Sequence, residues 1–220
     1  MVSDTYKYNQ SVFYLGDALE ILKTIPDNSI DCLVTDPPYF ISQEGKEISR
    51  KNLSSKTHKR NSNIKLDFGE WDRYWEDEED FFRWTEEWFR EVVRILKQGA
   101  WLYIAFDKNK IGLFDLYLAP KYNIKSRTIY VWCKTNPTPS FRKVNWISAT
   151  EFIWVGSKGS SKLKNFYNQT EMFNYMLYPN KSTYGETSLN YLKNLSLLLQ
   201  TKAIQFLTLS QEAEQQQLYV

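Results

Sequence analysis

The chain has 220 residues, a formal net charge of +2, 42% apolar and 16% aromatic residues; this suits one domain of ordinary size with enough apolar material for a core. No stretch approaches the roughly 20 apolar residues of a membrane span. The opening Met1-Val2-Ser3-Asp4 lacks the apolar run of a secretory signal, and Cys32, Cys133 and the single His58 match no metal-ligand spacing.

In chain order, Val12 to Leu15 reads as a short apolar strand ending at Gly16-Asp17. A helix follows, with apolar Leu19, Ile21 and Leu22, and it stops near Ile25-Pro26. Asp27-Asn28-Ser29 is a turn. Ile30 to Thr35 is a mostly apolar strand of the buried parallel kind. Asp36-Pro37-Pro38-Tyr39 ends it, because two prolines cannot sit in a central strand. Cys32 and Cys133 lie in apolar runs and read as buried thiols of a reducing cytosol rather than a disulfide.

Residues 41–66 are polar, basic and without periodicity, which predicts a mobile loop. Between Lys46 and Lys65 stand seven Lys or Arg residues against the single acid Glu47. Of these, Lys51, Lys56, Lys59 and Arg60 are the candidate phosphate contacts. Phe81 to Leu96 predicts a helix, with Trp84, Trp88, Val92 and Ile95 at helical spacing, stopped by Lys97-Gln98-Gly99. Ala100 to Phe106 is a buried strand and Ile111 to Leu118 a short helix. Ser126 to Lys134 and Thr150 to Gly156 predict two antiparallel neighbours, with a turn forced at Asn136-Pro137-Thr138-Pro139.

Alternating strands and helices of these lengths imply an open α/β sheet, whose ligands bind outside the carboxyl ends of the strands. Gly16-Asp17 and the Asp36–Tyr39 loop both fall at such ends, so they are candidates for one shared crevice. The chemistry of the second is specific. An exocyclic amine of adenine or cytosine is a poor nucleophile, because its lone pair is delocalised into the ring. Two acceptors holding both N–H bonds would draw it toward a tetrahedral geometry. The Asp36 carboxylate is one and the Pro37 carbonyl the other, with Pro37 and Pro38 fixing the backbone at little entropic cost. Tyr39 offers a flat face for a base flipped out of the duplex, worth roughly 1–3 kcal/mol.

With Leu15-Gly16-Asp17-Ala18, Asp36-Pro37-Pro38-Tyr39, Asp67-Phe68-Gly69-Glu70-Trp71-Asp72, the tract from Trp132 to Pro137 and the strand Glu151–Trp154, the chain resembles the amino-methylating DNA methyltransferases. The permuted class is the one resembled, with the catalytic region before the cofactor region. The resemblance implies a Rossmann-like S-adenosylmethionine-dependent methyltransferase sheet. It implies that Asp17 and Ala18 contact the adenosine of S-adenosylmethionine and that Asp36 through Tyr39 hold the target amine, Asp36 lying between base and cofactor. Asp in the first position favours adenine N6 over cytosine N4. The implied partner is double-stranded DNA in the cytoplasm, with a homodimer and a cognate restriction endonuclease as further expectations. Cytosine-N4 methylation and an inactive DNA-binding remnant are the alternatives.

The family's glycine-rich cofactor turn should lie C-terminal to the catalytic region, yet no glycine follows Gly185. Reading the coding sequence one base earlier, Lys202 through Gln217 can encode Gly-Asp-Thr-Val-Leu-Asp-Pro-Phe-Ala-Gly-Ser-Gly-Thr-Thr-Ala. This is the missing motif. The expectation is therefore a methyltransferase region over 1–188 and an out-of-frame tail over 189–220. The sheet would be C-terminally incomplete, the product weak or inactive, and the edge of the Ile30–Thr35 strand without its neighbour and prone to aggregation.

Overall fold

The computed structural model describes residues 2–8, 11–40, 47–48, 64–65, 75–135, 137, 146–162, 172–175, 203–207 and 217–219. Among them, β1 (Val2–Tyr8), β2 (Ser11–Gly16), β3 (Ile30–Asp36), β6 (Leu96–Phe106), β7 (Lys125–Lys134), β8 (Thr150–Ser157), β9 (Met172–Tyr175), β10 (Ala203–Leu207) and β11 (Gln217–Tyr219) form one sheet. Its order is β1-β2-β11-β10-β3-β6-β8-β7-β9. A separate two-stranded ribbon joins β4 (Glu47–Ile48) to β5 (Ile64–Lys65). The helices are α1 (Ala18–Thr24), α2 (Glu78–Ile95) and α3 (Ala119–Lys121), the last preceded by a π turn at Phe114–Leu118.

β3 and β6 run parallel at the centre, as their unbroken apolar runs predict. Leu33, Leu102, Ile104 and Phe106 face the helices, where Phe81, Phe89, Phe114 and Trp154 complete an aromatic core. β7 and β8 are the predicted antiparallel neighbours, with Ile129 opposite Trp154. Trp154 is fully buried, and its indole nitrogen donates to Ser126 Oγ at 3.0 Å and Asp115 Oδ1 at 3.2 Å. A Cβ at Gly156 would stand 2.3 Å from the Trp154 ring, so only glycine fits there.

Both helices flanking the central strands begin on a side-chain cap. Asp17 Oδ1 accepts from Glu20 N at 3.0 Å, and Asp77 Oδ1 from Asp80 N at 2.8 Å. α1 is short and is held from outside. Arg94 of α2 donates to Leu22 O at 2.8 Å, which also accepts from the capping Ile25 N at 3.1 Å, and to Ile25 O at 2.9 Å, just past the end of α1. The Asp27–Ser29 turn is tied to the same place, with Asn28 N on Arg94 O and Ser29 N on Ile95 O.

Four expectations change. The helix of Phe81–Leu96 begins three residues earlier, on the Asp77 cap, and Lys97-Gln98-Gly99 does not separate it from the next strand. β6 starts at Leu96, and the three residues lie inside it as an irregularity: Ile30 is opposite Leu96 while Cys32 is opposite Trp101. Gly99, at φ +86°, supplies the left-handed backbone this requires. The 41–66 segment is not wholly without structure, since Glu47 pairs with Lys65 and Ile48 with Ile64. Its other residues lie outside the described ones. Cys32 is buried as expected, but Cys133, one residue from the end of β7, is only half-buried.

The fourth change concerns the edge of β3. It is not left open: β10 pairs with it in parallel, Ala203 opposite Cys32 through Leu207 opposite Asp36. A parallel ladder is made by backbone groups, so a short run such as Ala203-Ile204-Gln205-Phe206-Leu207, with β-branched and aromatic residues, suffices to fill it. β1, β9 and β11 are strands that the sequence reading passed over.

Candidate active site at the carboxyl edge of the sheet

Strand direction gathers the candidate residues on one edge. β3 and β10 are parallel, β11 is antiparallel to β10, and β2 is antiparallel to β11. The carboxyl ends of β2, β10 and β3 therefore point the same way. Across this edge Leu15 is opposite Gln217, Gln217 opposite Leu207, and Leu207 opposite Asp36. Gly16-Asp17-Ala18 and Asp36–Tyr39 thus share an edge, as expected, but β11 and β10 stand between them. At about 4.8 Å per strand the two turns are on the order of 14 Å apart, a gap that an extended ligand rather than a single residue contact would bridge.

Asp36 closes β3, and burial raises its carboxyl from the ordinary 3.8 to about 6. The Tyr39 hydroxyl donates to Asp36 Oδ1 and opposes that rise, while the negative charge of Glu151 adds to it. Burial likewise pushes the Tyr39 phenol well above its ordinary range, with the Asp36 charge beside it adding to the effect. Pro37 and Pro38 between them are both buried. The loop therefore presents a carboxylate and a phenol in contact, over a backbone with two φ angles fixed by pyrrolidine rings.

Neighbouring strands complete the edge. The Tyr39 ring stands edge-on to Phe106, the last residue of β6, at 5.8 Å between centroids. Glu151 enters on β8, which starts at this edge because it runs antiparallel to β6, and it is ion-paired with Lys134 at the end of β7. Lys134 also lies 5.7 Å from the ring of Trp132. After β6, Asp107 begins a turn: its Oδ1 accepts from Asn109 N at 2.9 Å, and its carbonyl accepts from Lys110 N at 3.0 Å and Ile111 N at 2.9 Å. That turn delivers Lys110, whose ammonium donates to Tyr39 O at 3.3 Å and Phe40 O at 3.2 Å.

Of the residues proposed from sequence, Asp36, Pro37, Pro38 and Tyr39 come together in one loop. Asp17 and Ala18 sit along the same edge, where the Asp17 carboxylate has the additional task of capping α1. Lys51, Lys56, Lys59 and Arg60 lie outside the described residues, as does the Asp67–Asp72 motif. Asp107, Lys110 and Lys134 were not singled out as site residues. Asp107 had a legible signal, standing directly after a predicted buried strand, but a lysine three residues into a turn carries none.

Comparison with known proteins places this arrangement. The family model described as DNA methylase matches residues 30–212. The chain is 31% identical over 163 residues to the type II methyltransferase M.HinfI of Haemophilus influenzae, covering 72% of this chain and 42% of that protein. It is 26% identical over 166 residues to the type II methyltransferase M2.MboI of Moraxella bovis, covering 76% of this chain and 55% of that protein. The chain thus spans about half the length of the curated relatives it matches. Among solved structures, the cytosine-N4-specific PvuII DNA methyltransferase superposes with a TM-score of 0.50 at 15% identity, over 80% of this chain and 62% of that one. This similarity is one of fold: the sheet is of the Rossmann-like methyltransferase kind.

Proposed function

The chain belongs to the DNA methylase family whose members methylate exocyclic amines, and from that premise we propose that it is built to transfer a methyl group from S-adenosylmethionine to N6 of adenine in double-stranded DNA. The observation that carries this reading is the loop at the end of β3. It pairs a carboxylate, poised near neutrality, with a flat phenol on a doubly proline-fixed backbone. Asp36 accepts one N–H of the target amine and the Pro37 carbonyl accepts the other. Both bonds strengthen as the nitrogen turns tetrahedral, so they act mainly on the transition state. Tyr39 provides the stacking face for the flipped base. Its hydroxyl also donates to Asp36 Oδ1, so an amine N–H placed on that oxygen would exchange one donor for another.

The cofactor supplies an electrophilic methyl group. The residues present fit one end of it. Gly16, at φ +150°, opens the backbone at the end of β2, and Asp17 and Ala18 follow on the adenosine side. At the methionine end the fit fails, because β10 holds the place beside β3 and no glycine follows it to admit close backbone approach. We propose that the tail from about Leu189 is read out of frame, the shifted reading restoring Asp-Pro-Phe-Ala-Gly-Ser-Gly-Thr-Thr. A chain read in this frame, without the glycine turn, is then a weak methyltransferase. The basic segment between Lys46 and Lys65 serves phosphate contact. The cytoplasm is the proposed place of action, and a cognate restriction endonuclease belongs to the same proposal, since both relatives are named type II methyltransferases.

The test is Asp36→Ala in a frame-restored chain, with the methylated nucleoside identified by mass. Methylation of adenine N6 should fall at least a hundredfold in turnover, with cofactor binding within about twofold of the parent. Near-parental turnover removes Asp36 from the chemistry. Methylcytosine as the product replaces adenine with cytosine N4, whose amine presents Asp36 with the same pair of N–H donors.

A further inference from the structure

We propose that Lys110 is the positioning residue of the catalytic loop, an assignment that rests on the methyltransferase reading for its consequence but not for its geometry. β3 ends its ladder with β6 at Thr35 opposite Ile104. Beyond that point Pro37 and Pro38 have no N–H to give, and the chain leaves the sheet. The loop's own rigidity therefore covers φ at two residues and says nothing about Tyr39 and Phe40, whose backbone must be held by something else.

Lys110 does this from the turn that follows β6. Its ammonium bonds both carbonyls, at 3.3 and 3.2 Å, across a separation of seventy residues. The same nitrogen stands 5.9 Å from the ring centroids of Phe40 and Phe81, within range of a cation–π attraction. Phe40 adopts φ +51°, a left-handed conformation that a bulky residue holds only when its surroundings impose it. Those surroundings are here: its ring packs on Trp75 at 5.8 Å and Phe81 at 5.7 Å, while Lys110 fixes its carbonyl. The Asp107 turn in turn fixes the backbone of Lys110. The end of β6 thereby sets the height and tilt of Tyr39 over Asp36. Lys110 touches no reacting atom; it acts through the loop.

The experiment compares Lys110→Met, which keeps the apolar stem, and Lys110→Arg, which keeps the donors, with the parent 220-residue chain. Hydrogen exchange at the amides of Tyr39 and Phe40 should quicken at least tenfold in Lys110→Met, with β6 amides unchanged, and return most of the way in Lys110→Arg. Exchange unchanged in Lys110→Met overturns the proposal. So does a rise spread over β3 and β6, which would mark general loosening. Single-turnover methylation should fall about tenfold or more in Lys110→Met at saturating DNA, with half-saturating DNA concentration within twofold and partial rescue by Arg. Faster exchange with an unaltered single-turnover rate also overturns the proposal. If the parent gives no methylation, as the missing glycine turn allows, the turnover comparison is made in the frame-restored chain, and the exchange result decides Lys110 by itself.

Discussion

Asp36 is the proposed acceptor of the target amine, and its environment gives it a testable pH signature. The ionised carboxylate is the stronger acceptor for an amine N–H and carries the charge that favours a developing positive nitrogen, so turnover should rise through about pH 6 and level off above it. Stability runs the opposite way. The folded pKa lies above the ordinary 3.8, so this group's contribution to stability is full below that value and is lost as pH rises through about 6. At pH 7.5 the charge costs the fold, and Asp36→Asn should melt a few degrees higher than the parent, with the gap closing by pH 4. Melting curves at the two pH values check this; an equal difference at both would mean that the carboxylate is not desolvated. Tyr39 belongs to the same pair. Its hydroxyl opposes the rise at Asp36, so Tyr39→Phe should move the acid limb of turnover to higher pH.

Among the elements, α1 is the one that cannot stand alone. It has seven residues, below the length at which helix formation in water is favourable, and its apolar Ile21 and Leu22 are fully buried. Arg94 joins it to α2 and to the turn before β3. It bonds Leu22 O and Ile25 O and pairs with Glu91 at 2.8 Å and with Asp27. Arg94→Met keeps much of the stem and removes the donors to Ile25 O and Leu22 O, the latter keeping its bond from Ile25 N. The expected cost is about 1–3 kcal/mol in urea unfolding. A loss below about 0.5 kcal/mol would show that water replaces the guanidinium without penalty. Because α1 begins on Asp17, this variant should also weaken whatever Asp17 and Ala18 hold.

For the whole molecule, two segments bear on the proposed action on DNA. Neutralising Lys56, Lys59 and Arg60 together should weaken DNA binding and flatten its dependence on salt, since each phosphate contact releases counterions. An unchanged slope of affinity against salt would remove these residues from phosphate contact. The tail is the second segment. β10 pairs with β3 in parallel, so β3 has a neighbour on that side in this chain. The expected aggregation from an open β3 edge is accordingly withdrawn. Cofactor affinity is a different matter, because backbone pairing cannot substitute for glycine at a close approach. Calorimetry should show S-adenosylmethionine binding at least tenfold weaker than in the frame-restored chain, a loss of about 1.4 kcal/mol or more. The gene should show the glycine motif one frame away, followed by further coding sequence of the same family. Tight binding by the 220-residue chain, or stop codons inside the shifted motif, would refute the frame proposal.

What the sequence by itself determined is local and periodic. An apolar run broken by Pro37-Pro38 marks the end of β3 and the loop beyond it, and the patterns of 126–134 and 150–156 mark two paired strands. These follow from the strand period, from proline's missing donor and from steric limits within a few residues. The lack of glycine after Gly185 is equally plain in the sequence. Only the tertiary structure decided the rest. The order of the strands, the filling of the slot beside β3 and the irregularity that carries β6 through Gly99 depend on partners far away in the chain. So do the grip of Lys110 on Tyr39 and Phe40 and the elevation of Asp36 by burial. A carboxyl's charge is set by what surrounds it, and a lysine's role by which carbonyls come within its reach. Neither is written within a window of neighbouring residues, because both arise when strands distant in sequence are laid side by side.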